Sequence, residues 1–206
     1  TEIYTLSLHD ALPILGIQDW HDIPLRQSKR GYDSQQAFHA ACLVQSKGFV
    51  LGIQLMPGLP GSSSQTTKFN MDRLREVRPN FLRLYPVVII RGTMLEQMYQ
   101  NGSYAPLSLE DAIGICADYT LLCEECGIRI IKYGLPSNLD TTEVVAGAYH
   151  QAFGELVKQE LMVRNIQKAS ATGKAVSLST KDKQLLRAHG GKYLLDKRIE
   201  NCTSIL

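Results

Sequence analysis

Three short apolar runs most constrain what this chain can fold into: FVLGIQL (residues 49–55), FLRLYPVVII (81–90) and IRIIKY (128–133). FVLGIQL, with little polar alternation, and IRIIKY read as buried strands, and FLRLYPVVII reads as a strand and its exit. LGIQ (15–18) reads as the end of one more. Helical stretches lie between them. Ser34 caps a helix to about Lys47, with Ala37, Phe38, Ala41 and Val44 on one face and Gly48 closing it. Another runs from about Thr66 to Val77 and is ended by Pro79. Thr93 caps a short helix to Gln100, and Ser108 with Asp111 makes an imperfect capping box for a long helix to Cys126, stopped by Gly127. Strand–helix alternation of this kind requires parallel pairing with right-handed crossovers, and the chain is predicted to be α/β.

After Asp140 the pattern changes. A helix near Tyr149 to Ala169, a small-residue break (170–173), a strand over Ala175 to Leu178 and two short basic helices predict a mostly helical C-terminal extension. Only about four strand–helix units precede it, whereas a closed eight-stranded barrel takes about 250 residues. An open half-barrel would leave a strand edge bare. The expected organisation is therefore the second half of a barrel over residues 15–140, followed by an extension over 141–206. The opening TEIYTLSLHDALPI lacks an initiator Met and back-translates into a string that resembles a short-read sequencing adapter. Residues 1–14 are therefore expected to be adapter-derived, non-native sequence.

A hydrophobic content of 44% with 20% charged residues suits a globular chain with material for a core. No apolar run approaches the roughly 20 residues of a membrane-spanning helix, so no membrane association is expected. Five irregularly spaced cysteines make no disulfide framework, and a reducing, cytoplasmic setting is the expectation. Charge is uneven along the chain. Residues 158–200 hold ten Lys and Arg against four acids, a distribution that suits RNA contact through the C-terminal region, although solvated helix faces would look the same. Oligomeric state leaves no mark on the sequence.

In parallel α/β folds chemistry gathers where strands end. Three such ends are rich here: Gln18 with Arg30 twelve residues later, Gln54 with the loop MPGLPG, and Arg83-Leu84-Tyr85-Pro86. The loop's glycines let backbone approach a ligand and its prolines fix the path. Any one alone reads as a structural turn.

In order, LGIQ, KRGYD, GFVLGIQLMPGLPGS, RPNFLRLYPVVIIRGTMLEQMYQNGSYAPLSLEDAI and VVAGAYHQAFGELV resemble the radical S-adenosylmethionine enzymes. The closest likeness is to the group of the catalytic subunit of the elongator tRNA-modifying complex and its shorter bacterial relatives. More distantly the chain is similar to oxygen-independent coproporphyrinogen oxidases, where Asp usually stands in place of Gln54. The resemblance implies a partial (β/α)6 TIM-like barrel. In such enzymes a 4Fe–4S cluster reduces S-adenosylmethionine to a 5′-deoxyadenosyl radical that takes hydrogen from a substrate, here tRNA by family likeness. It implies that Gln18 and Arg30 hold the ribose and methionine portions of the cofactor. Gln54 would bond the ribose hydroxyls, Met56 and Gly58 would line the same pocket, and the backbone of Tyr85, Pro86 and Val87 would pack on the adenine.

One part of the pattern is missing. The family holds its cluster in a Cys-x3-Cys-x2-Cys loop, and Cys42, Cys116, Cys123, Cys126 and Cys202 do not reproduce that spacing. Cys123-Glu-Glu-Cys126 ends a helix, where the macrodipole disfavours a thiolate, and Cys116 and Cys123 read as small core residues beside Tyr119. The expectation is a truncated radical enzyme that is inactive alone, its cluster loop lying upstream. A non-catalytic α/β binding module and a coproporphyrinogen-oxidase-like enzyme are the alternatives.

Overall fold

A computed structural model describes residues 13–135, 139–172 and 178–188 of the chain. The chain divides into two compact units, residues 1–151 and 152–206. The first is built on four parallel strands, β1 (Ile14–Gln18), β2 (Gly52–Leu55), β3 (Phe81–Leu84) and β5 (Arg129–Tyr133), in the order β1-β2-β3-β5. Between them run α1 (Asp22–Gln27), α2 (Ser34–Ser46), α3 (Ser64–Val77), α4 (Met94–Gln100) and α5 (Leu109–Cys126). A second, two-stranded sheet pairs β4 (Val88–Ile90) antiparallel with β6 (Val144–Gly147). The fold is thus α/β with a parallel sheet. Ile14, the last residue of the stretch read as adapter-derived, lies in β1 opposite Gly52; residues 1–12 lie outside the described residues.

Strand alternation sorts side chains to two faces. Ile53, Leu55, Leu82 and Leu84 are buried on the helix side with Leu74 of α3 and Ala112, Cys116 and Tyr119 of α5. The Tyr133 hydroxyl lies 2.9 Å from that of Thr120 in α5, so Tyr133 shares this face and Lys132 takes the other. Burying such a Leu or Ile side chain contributes about 1.5–3 kcal/mol, which is why the apolar runs end up here.

Several local features differ from the sequence reading. Asp33, not Ser34, caps α2: its carboxylate accepts from the Gln36 amide at 2.7 Å, and the Gln36 side chain accepts in return from the Asp33 amide at 2.9 Å. Ser63 caps α3, which begins at Ser64, two residues before its expected start. FLRLYPVVII is two strands of different sheets, because the Tyr85-Pro86 step interrupts the ladder and Pro86 has no N–H to continue it. IRIIKY is an edge strand, with Arg129 and Lys132 exposed and Ile131 40% exposed, not a strand buried on both faces. The short helix α1 and the strand β6 were not foreseen.

In the second unit α6 (Phe153–Ala171) packs with α7 (Thr180–Arg187). The fully buried Gln159 joins them by donating from its side-chain amide to the Leu185 and Ala188 carbonyls. The expected strand over Ala175 to Leu178 falls almost wholly outside the described residues, as do Lys174, Lys192, Lys197 and Arg198 of the basic region.

At Gly52 a Cβ would lie 2.1 Å from the Phe81 ring, which folds over that position. Gly52→Ala should therefore destabilise the chain by about 1–3 kcal/mol as Phe81 is forced out. Urea unfolding with an unchanged midpoint would contradict this packing.

Candidate cofactor-binding site

Opposite the helix face the sheet is polar. Gln54 and Arg83 pair in register on neighbouring strands, and Arg83 pairs in turn with Lys132. The Gln54 amide donates to the Gln18 side-chain oxygen at 3.2 Å, joining the ends of β1 and β2. Gln18 is buried and adopts a left-handed backbone with φ of +64°. Such a conformation costs a non-glycine residue about 1–3 kcal/mol and persists only where neighbours over-determine it. Here the Met56 amide donates to the Gln18 carbonyl at 2.8 Å, and the Asp19 amide donates to the Ile17 carbonyl at 2.7 Å. Gly16 keeps the space in which the Gln18 amide folds back, since a Cβ there would lie 2.5 Å from its nitrogen.

Behind this strand end lies a buried polar cluster that the sequence reading missed. Asn70 of α3 accepts from the Trp20 amide at 2.6 Å, and the Asp19 carboxylate accepts from the His21 amide at 2.7 Å. Burial pushes the Asp19 carboxyl above its ordinary value of 3.8, outweighing the hydrogen bonds that pull the other way. Tyr32 closes the opposite side, its hydroxyl donating to the Gly16 and Ile17 carbonyls at 2.8 and 3.0 Å. Asn70 stands on the buried face of α3 with Thr66, Leu74 and Val77, a signal too weak to find without knowing which polar residues of that helix point inward.

A second group of the expected residues surrounds a cavity of about 380 Å³ lined in part by Arg30, Met56, Val87, Met94 and Met98. Arg30 donates from its terminal nitrogen to the Met56 sulfur at 3.5 Å, while its buried Nε has no acceptor. Gly58 turns the loop at φ of +90°, and its carbonyl accepts from the Tyr104 hydroxyl at 2.6 Å. A Cβ at Gly58 would lie 2.8 Å from the Leu107 side chain, so close packing as well as the turn requires glycine. The segment Tyr85–Pro86–Val87 lies beside the loop. Its two amides are already used, donating at 2.9 Å to the Leu55 and Pro57 carbonyls, and Pro86 has none. The expected residues therefore form two neighbouring groups. Gln18 and Gln54 meet directly, Arg30, Met56 and Val87 share the cavity, and Gly58, Tyr85 and Pro86 shape the loops between them.

The donor set fits S-adenosylmethionine. Carboxamides offer donors and acceptors to vicinal hydroxyls, and a buried guanidinium nitrogen without an acceptor suits a carboxylate. It does not fit an iron–sulfur cluster. Among the described residues no three His, Cys, Asp or Glu side chains come together. Cys116 and Cys123 are buried, and burial pushes the Cys116 thiol far up and that of Cys123 up to about 12.

Residues 79–163 match the radical SAM C-terminal domain family. The tRNA uridine(34) acetyltransferase of Methanocaldococcus jannaschii is 30% identical over 146 residues, which is 69% of this chain and 26% of that protein. That of Dehalococcoides mccartyi is 33% identical over 112 residues, 52% of this chain and 24% of its own length. The solved structure of Methanocaldococcus infernus Elp3 lacking residues 1–46 superposes with a TM-score of 0.69 at 25% identity, covering 77% of this chain and 37% of that one. The chain is homologous to Elp3-type radical SAM proteins. This Elp3-like chain spans about a quarter of the length of the two curated relatives, at 26% and 24%.

The Asp19 carboxyl gives the strand end a pH signature. A folded-state pKa above the unfolded value means the folded chain binds that proton more tightly. The contribution favours folding at low pH and is lost as pH rises through the raised value. Asp19→Asn removes it, so the variant should gain stability relative to wild type as pH rises from the ordinary carboxyl value of 3.8 toward neutrality. Urea midpoints whose difference stays constant across that range would contradict the burial argument.

Proposed function

We propose that the chain supplies the nucleoside- and methionine-binding wall of an Elp3-like radical S-adenosylmethionine enzyme. The observation that carries this reading is the Gln18–Gln54 amide pair at the strand ends, next to an Arg30 guanidinium whose buried Nε has no acceptor. When bound, the cofactor supplies one-electron, hydrogen-abstracting chemistry. The chain's own residues bind and orient it. Gln54 and Gln18 take the ribose hydroxyls in exchange for their mutual bond, so little hydrogen bonding is lost on binding. Arg30 leaves the Met56 sulfur for a carboxylate, a charge-assisted bond about twice as strong as a neutral one. With their amides consumed, Tyr85, Pro86 and Val87 offer carbonyls to an exocyclic amine and the Val87 side chain to the face of a base.

The chain alone is proposed not to cleave the cofactor, because its five cysteines contain no Cys-x3-Cys-x2-Cys triad to hold a 4Fe–4S cluster. Two relatives are named for uridine 34 of tRNA, and a tRNA substrate is the reading we extend to the whole enzyme. Lys158, Lys168, Lys181, Lys183 and Arg187 of α6 and α7 belong to the basic region that would meet a phosphate backbone. A barrel over residues 15–140 with an extension over 141–206, and a cytoplasmic setting, complete this reading.

The test is equilibrium binding of S-adenosylmethionine to the chain. Gln54→Leu and Arg30→Met should each weaken it about tenfold, the loss of one such polar contact, while Lys68→Gln on the exposed side of α3 should not. Absence of saturable binding, or equal affinity in all variants, would overturn the proposal. With dithionite as reductant the chain alone should release no 5′-deoxyadenosine; turnover by the isolated chain would contradict the assignment of the thiolate triad to another segment.

A further inference from the structure

Across the four parallel strands (ILGIQ, GIQL, FLRL and RIIKY) there are three cations, Arg83, Arg129 and Lys132, and no carboxylate. All three stand on the polar face, because a register shift between Ile130 and Lys132 breaks the strict alternation of β5. Arg129 pairs with Phe81, whose ring lies over Gly52 on the Gln54 side, and Lys132 pairs with Arg83. Cations at a sheet edge are ordinary protection against edge-to-edge pairing, which accounts for exposed Arg129 and Lys132 on β5. It does not account for Arg83. That residue lies on an interior strand, between β2 and β5, half-buried, with its Nε out of contact with solvent and without an acceptor. The ion pairs described join Arg73 to Glu76, Arg75 to Asp72 and Arg164 to Glu160, and none draws on this face.

A half-buried guanidinium with a shielded, unpaired N–H costs free energy unless an acceptor bonds it, and an anion compensates its charge as well. We propose that Arg83, with Lys132 beside it, is an oxyanion subsite for a phosphate group, one strand beyond the Gln18–Gln54 pair and distinct from it. The charge selects phosphate over carboxylate. Two cations at one level of the sheet, with no acid on the strands, balance a dianion, whereas a single carboxylate leaves one of them uncompensated. The guanidinium fork supplies paired N–H donors to a tetrahedral oxyanion, and the ammonium acts as a point charge that reaches in from the edge. The ligand class is thus a phosphorylated molecule or a nucleotide whose phosphate enters over β3 and β5.

The probe is inorganic phosphate, titrated into the full chain by calorimetry at low ionic strength, with acetate as the carboxylate arm. Wild type should bind phosphate saturably and acetate at least about tenfold more weakly. Arg83→Gln should lose about tenfold in phosphate affinity, and Arg83→Lys less. Lys132→Gln, at an exposed position where folding is not at risk, should also weaken it. Equal binding of acetate and phosphate, or phosphate binding unchanged in both Arg83→Gln and Lys132→Gln, overturns the proposal. S-adenosylmethionine affinity is read in parallel on Arg83→Gln. An unchanged value fits a separate subsite, and a loss equal to that for phosphate would mean that Arg83 serves the cofactor carboxylate and overturns it. Failure of wild type to bind S-adenosylmethionine would sink the proposed cofactor wall and leave the phosphate result standing.

Discussion

The parallel, fully in-register pairing of β2 with β3 is the constraint on which the rest of this molecule depends. It places Ile53 beside Leu82 and Leu55 beside Leu84 on the helix side, all but sealed from solvent. The same register then leaves Gln54 beside Arg83 on the other side, whatever else the chain does. A slip of β3 by one residue would bury the Arg83 guanidinium under the helices while wetting Leu82 and Leu84. The hydrophobic preference for one register is therefore also what aims the polar side chains into a single face. Core and site come from one alternation.

That coupling explains why much of the fold could be read from sequence. Apolar runs bounded by Ser, Asp and Gly caps announce strands and helices through local chemistry, and the Ser108 and Gly127 boundaries of α5 fell where that chemistry put them. What depended on neighbours could not be read locally. IRIIKY has the composition of an interior strand, yet it stands at the sheet edge with Lys132 exposed. Val144–Gly147 gained its strand only by pairing with Val88–Ile90, more than fifty residues earlier in the chain. Gln18, Arg30 and Gln54 were legible as candidates because polar residues at the ends of apolar runs stand out. Their contacts, Gln54 to Gln18 and Arg30 to Met56, span 36 and 26 residues and needed the fold.

The supporting layer behind Gln18 shows how a strained backbone is kept in place. Asn70 holds the Trp20 amide, Asp19 holds the His21 amide, and Tyr32 caps two carbonyls of β1. Each satisfies a backbone group of β1 or of the segment after it that the sheet ladder leaves unpaired. Asp19 does so from a buried position that opposes its own charge, an arrangement that costs stability and orders the strand end. In the proposed cofactor wall this ordering would let a fixed pair of amides meet a ribose without first being immobilised.

In the proposed site Gln18, Gln54 and Arg30 meet one adenosyl ligand. The most direct test is a two-dimensional amide correlation spectrum of the chain titrated with S-adenosylmethionine. The side-chain amide signals of Gln18 and Gln54 and the Nε–H of Arg30 should shift together, with one saturation curve. If those three signals stay in place while resonances elsewhere move, or if they titrate with unrelated curves, the shared site is contradicted.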